Sequence, residues 1–167
     1  MFKVNDYVMY GSTGVCKIID ISKEKHISIN SEETDYYVLH PVFNDNIVIK
    51  IAVNNPNAPI RAILTKDEVL SLIKTMPEQE TIWIDDNRER SEYFKAILKS
   101  KESEDWVKLI KTLFLEKEAR SLVGKTLTKT DEGIMNTVEK LLYEEFAIAL
   151  GISPDEVLAF IEEYIPK

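Results

Sequence analysis

The chain has 167 residues, of which 44% are apolar and 30% charged, with a formal net charge of -8. That leaves room for one large domain or two small ones, with enough apolar material for a core. The acid excess argues against a protein that grips DNA unaided, since phosphates are held by Lys and Arg, and the single cysteine, Cys16, excludes an intramolecular disulfide or a cysteine metal cluster.

The charge is unevenly spread. Residues 1–60 carry five Lys/Arg against seven Asp/Glu, residues 88–129 eleven against seven, and residues 131–167 two against nine. No apolar run approaches the ~18 residues of a membrane span. Met1–Asp6 enters a strand-like pattern with no signal-peptide core, so a cytoplasmic location is expected.

The first 60 residues read as strands. Phe2, Val4, Val8 and Tyr10 are spaced largely by two, as on a half-buried strand. Gly11-Ser12-Thr13-Gly14 reads as a hairpin turn, because it lies between strands and lacks the Lys of a phosphate loop. Val15–Ile21, Tyr36–Leu39 and Ile47–Ile51 are further β-rich runs, with Asn44-Asp45-Asn46 turning between the last two and a loop over Asn54–Pro59. Short strands at this spacing predict a small antiparallel β-barrel.

From residue 65 the period changes. Thr65–Glu68 fits a capping box for a short helix carrying Val69, Leu70, Leu72 and Ile73, and Met76–Glu80 breaks it. Tyr93, Phe94, Ile97 and Leu98 mark the next helix. Ser103 then reads as an N-cap ahead of an apolar face of Trp106, Leu109, Ile110, Leu113 and Phe114. Gly124 reads as its stop. Ile134, Val138, Leu141, Leu142, Phe146 and Leu150 predict a long helix ended by Gly151. Ser153–Glu156 is another capping box, with Pro at the first helical position, for a last helix over Val157–Ile165. The expected class is α+β: a β-barrel over 1–65, a short helix and linker over 66–82, and an all-helical domain over 83–167.

No catalytic constellation emerges. Cys16 sits in an apolar β run, where a free Cys behaves as a small hydrophobe. His26 and His40 have no spacing that pairs them with it or makes a metal site. Glu144-Glu145 and Glu162-Glu163 read as solvated surface. The expectation is therefore a non-enzyme with no cofactor, no small-molecule ligand and no membrane partner. Trp106 reads as core. Trp83 has two readings, a domain-interface anchor or an exposed aromatic wedge with Arg88 and Arg90 nearby for phosphates. The basic stretch runs through Lys95, Lys99, Lys101, Lys108, Lys111, Lys117, Arg120, Lys125 and Lys129.

Phe2–Val15 resembles the opening of CarD/CdnL transcription regulators, shared with the polymerase-interacting domain of transcription-repair coupling factor. Tyr36–Leu39 and Ile47–Asn55 resemble later strands of that module, Ile60-Arg61 its closing segment, and Leu141–Gly151 the long helix of the regulators' C-terminal domain. The resemblance implies a Tudor-like barrel that binds the RNA polymerase β subunit partly by strand pairing. The family's basic contact on the later strand maps to Lys50, flanked by Val48 and Ala52, where other members often carry Pro at the last position. A second contact falls near Lys23 or Lys25. The resemblance also implies weak, tethered contact of the helical domain with promoter DNA at the upstream edge of the bubble. Trp83 is the candidate wedge, with Arg88, Arg90, Lys95, Lys111 and Lys125 as basic contacts. Asp85 and Asp86 depart from the family's pattern, in which basic and aromatic residues follow the Trp closely. The rival reading is an adaptor on polymerase without DNA contact.

Overall fold

A computed structural model describes residues 1–25, 33–44, 46–100 and 102–166, with the backbone alone for Lys25. His26, Asp45 and Lys101 lie outside the described residues. The chain divides into two compact units, Met1–Ile63 and Leu64–Lys167.

The first unit is a five-stranded antiparallel sheet: β1 (Tyr7–Tyr10), β2 (Gly14–Lys25), β3 (Glu33–Pro41), β4 (Ile49–Ala52) and β5 (Ile60–Ala62), in the order β4-β3-β2-β1-β5. Strands β4 and β5 are its two edges. The expected barrel is therefore not closed, and the unit is an open antiparallel sheet. Phe2 and Val4 precede the first strand, because the backbone turns at Asn5, whose φ is 78°, and the Lys3 N–H bonds the Asp6 carboxylate at 2.9 Å. The Gly11–Gly14 hairpin is present, with the Thr13 N–H on the Tyr10 carbonyl at 3.0 Å.

One irregularity in β2 sets which side chains face inward. The β2–β3 register skips Ile19 between Ile18↔Leu39 and Asp20↔Val38. A bulge of one residue reverses side-chain parity along the strand. Ile18 and Ile21, three apart, thereby both join the core of Val8, Cys16, Tyr37, Leu39, Ile51 and Ala58, while Ile19 is exposed.

The second unit holds α1 (Lys66–Thr75), a 3-10 turn (Met76–Glu78), α2 (Asn87–Lys99), α3 (Ser103–Leu122), α4 (Lys129–Leu150) and α5 (Pro154–Tyr164). Helix α4 is the hub, touching α1, α2, α3 and α5. Its apolar stripe of Val138, Leu141, Leu142 and Phe146 is fully or almost fully buried. Gly151 ends it at φ 71°, a left-handed conformation that favours glycine. The Thr65–Glu68 capping box forms on α1, and at α5 the Glu156 carboxylate accepts from the Ser153 N–H and hydroxyl. Segment 66–82 thus contains α1 and the 3-10 turn, and α1 packs on α4 and α5.

Three expectations in this unit are corrected. Glu144 and Glu145 are buried rather than solvated. Ser103 lies inside α3, whose N-cap is Glu102, and its hydroxyl donates to Glu145 at 2.8 Å. Glu145 also accepts the Leu64 N–H at 3.0 Å, so this carboxylate joins the start of the unit to two helices. Phe114, expected on the buried face of α3, is half exposed. No helix among the described residues is long and apolar enough to cross a membrane.

Candidate functional site

Among the described residues, strand β4 pairs with β3 on one side only, in the register Tyr36↔Ala52, Tyr37↔Ile51, Val38↔Lys50 and Leu39↔Ile49. The Val53 N–H donates to the Asp35 carbonyl at 2.9 Å, which marks 35/53 as a hydrogen-bonded pair. Such pairs alternate along an antiparallel ladder. Ile49 and Ile51 therefore direct their peptide groups at β3, while Lys50 and Ala52 direct theirs off the edge. The Ala52 carbonyl is taken by the Asn55 N–H at 3.1 Å. What the edge offers a partner is the Lys50 N–H and carbonyl and the Ala52 N–H.

The side chains expected around this edge do not converge. Lys50 shares a sheet face with Asp20, Ser22 and Glu24 by register, and its ammonium pairs with the Glu24 carboxylate. Both partners are about half exposed, so the pair adds little stability and leaves the charge accessible. Lys23 lies opposite Asp35 on the other face, the one that carries Ile21 and Tyr37. Lys25 aligns with Glu33 at the far end of that strand pair, and its side chain lies outside the described part of the molecule. Val48 lies just before β4 and is exposed.

In the helical unit the basic candidates have three different fates. Arg90 is 1% exposed. It forks onto the Asp131 carboxylate at 2.8 to 3.2 Å, donates to the Ile84 and Asp85 carbonyls at 2.8 and 3.3 Å, and reaches Asn87 at 2.7 Å. A guanidinium so enclosed is part of the interior, not a surface for phosphate. Asp131 is itself fixed by Thr128, whose hydroxyl accepts the Asp131 N–H at the N-cap of α4. Lys111 is half-buried and donates to the Pro77 and Gln79 carbonyls at 3.0 and 2.7 Å, tying the 3-10 turn to α3. Arg88, Lys95 and Lys125 are exposed.

Trp83 lies against the interior cluster. Its ring is 6.2 Å from Phe94, and the Arg90 and Arg120 guanidinium carbons lie 4.2 and 5.6 Å from its centroid. Two cations against one indole are a favourable cation–π arrangement that also restricts the ring. Arg120, whose role the sequence pattern did not single out, is held by Glu116 at 3.1 Å and by the Thr126 carbonyl at 3.1 Å. The structure thus joins Trp83 and Arg90. Arg88 and Lys95 line an open groove of about 460 Å³ together with Ser91, Glu92, Thr130 and the buried Arg90–Asp131 pair, and Lys111 lies apart from these residues.

The family model of the CarD-like/TRCF RID domain matches residues 2–64. The chain carries a CarD-like/TRCF RID domain. Its span coincides with the open-edged sheet, and the domain points to RNA polymerase as the partner. The match ends as the helical unit begins. Comparison of the chain with curated proteins gave no match.

Proposed function

We propose that the chain is a bacterial, cytoplasmic transcription regulator without catalytic activity, docked on the RNA polymerase β subunit through the β4 edge of a Tudor-like module. The observation that carries this reading is the β4 edge of a CarD-like/TRCF RID domain, from which the Lys50 N–H and carbonyl and the Ala52 N–H point away from β3. An exposed edge supports β-augmentation, in which main-chain bonds supply affinity and side chains supply register. The Lys50 ammonium stands beside that edge as the charged side-chain contact.

In the same reading the helical unit works on promoter DNA at the upstream edge of the bubble and modulates open-complex stability. Tethering raises its local concentration, so a weak contact suffices. Exposed Arg88 and Lys95, about two turns apart on the same face of α2, support that role, with Trp83 adjoining the same helix through Arg90 and Phe94.

The alternative, an adaptor that makes no DNA contact, is favoured by one observation: Arg90 and Lys111 are committed inside the unit, and Trp83 is packed against two arginines. The experiment that separates the two is polymerase-dependent retention of a promoter fragment by the full chain and by the Arg88→Glu/Lys95→Glu variant. Retention lowered about tenfold, with polymerase binding unchanged, supports DNA contact. Unchanged retention favours the adaptor.

A further inference from the structure

A second surface, wholly within the helical unit, is built differently from any DNA face. Helices α3, α4 and α5 and the 3-10 turn enclose an apolar groove of about 330 Å³. Its floor is Leu142 and Val107, and its walls include Phe114, Leu115 and Leu158, which are 50%, 46% and 47% exposed. Three large apolar side chains half open to water around one groove mark an interaction site more than a chance surface. The rim is acidic, with Glu139 from α4 and Glu162 from α5. Among the described residues the cation on the lining is Lys111, and it is turned onto the Pro77 and Gln79 carbonyls. Between the two glutamates, burial and then the charges of Glu139 and Glu162 push the Tyr143 phenol up to about 12, so it remains a hydrogen-bond donor throughout the working pH range.

We propose that this groove docks an amphipathic helix of a partner protein whose apolar face is flanked by Lys or Arg. The shape argument is that a trough between packed helices accepts a helix laid into it, read out by side chains at i, i+3, i+4 and i+7. The charge argument chooses among occupants. The acids that line the groove are Glu139 of α4 and Glu162 of α5, while Asp131, Glu144 and Glu145 of the same acidic stretch are buried in the interior. A second copy of this chain, docked by the same face, would set Glu139 and Glu162 against their own equivalents. A basic helix instead meets complementary charge, which steers its encounter.

The test uses the full chain and a fluorescent synthetic helix of about 18 residues, with Leu on one face and Lys on the other. A second peptide carries Glu in place of every Lys. The expected result is saturable binding of the Lys peptide, weakened about tenfold by Leu158→Ser or Phe114→Ser at unchanged net charge. Glu162→Gln should weaken it about threefold, and the Glu peptide should bind at least about tenfold less tightly. Both apolar positions are already half exposed, so neither variant threatens the fold. Equal binding by the Leu158→Ser and Phe114→Ser variants would reduce the interaction to nonspecific charge attraction and overturn the proposal. Equal binding of the Glu peptide would overturn the charge argument. A concentration-dependent dimer in sedimentation, abolished by Leu158→Ser, would assign the groove to a second copy instead.

Discussion

The two units place their candidate contacts in opposite ways. The sheet offers main-chain groups, which point off the β4 edge because of position in the ladder, whatever side chain each residue carries. The helical unit offers side chains, and their availability depends on what else lies within reach. Arg90 and Arg88 are two residues apart on α2, yet one is enclosed by Asp131, Asn87 and two carbonyls while the other is exposed. A backbone edge is fixed by the pairing register, whatever side chains the strand carries. A basic residue counts as a surface contact only after its internal acceptors are known.

The largest expected effect tests whether Arg90 belongs to the interior. Replacing it with Met leaves the buried Asp131 carboxylate unpaired, and breaking such a pair costs about 3–5 kcal/mol. Denaturant unfolding should show that loss. A variant with near-normal stability would return Arg90 to the list of surface cations. Lys111→Met should cost about 1 kcal/mol, since two hydrogen bonds from a charged but half-buried donor are lost, and should leave promoter retention as it was. A drop in retention at unchanged stability would show that Lys111 reaches DNA after all.

A smaller effect concerns Glu144, whose burial raises its pKa against the opposing pull of Lys140. A carboxylate with a raised folded pKa opposes folding above that pKa, and the penalty disappears as the pH falls and the group is protonated in both states. Glu144→Gln should therefore raise the melting temperature on the order of 1–2 °C at pH 7 and leave it unchanged near pH 4. A gain of the same size at both values would point to packing instead of charge.

Much of the fold could be read before any coordinates, and the failures share a cause. Helix boundaries at Thr65, Gly151 and Ser153 rest on local capping chemistry that residue types announce. The five-strand count was less visible. Strand β5 is three residues long, and its place beside β1 is a long-range pairing that no local period encodes. The sheet's open edges and the bulge at Ile19 likewise depend on register between distant segments. Glu144 and Glu145 misled because a glutamate pair on a helix is ordinarily solvated, while the acceptors needed by Ser103 and the Leu64 N–H lie far away in sequence. In the candidate sites, Lys50 was found from a family pattern, and its outward peptide group from the ladder. The separation of Lys23 and Lys50 onto opposite faces follows from the alternation of side chains across paired strands, once the β2–β3–β4 register is known. The stacking of Arg120 on Trp83 had no signal beyond membership of a basic stretch.

The central claim is that the β4 edge docks on polymerase. Capture of purified bacterial RNA polymerase by the full chain should be compared with capture by Lys50→Pro and Lys50→Glu, each first shown by circular dichroism to be folded. Proline at position 50 removes an N–H that points away from β3, so the sheet keeps its own bonds while the edge loses a donor. The account predicts that Lys50→Pro abolishes capture and that Lys50→Glu weakens it. Capture by Lys50→Pro equal to that of the unmodified chain would contradict docking through this edge.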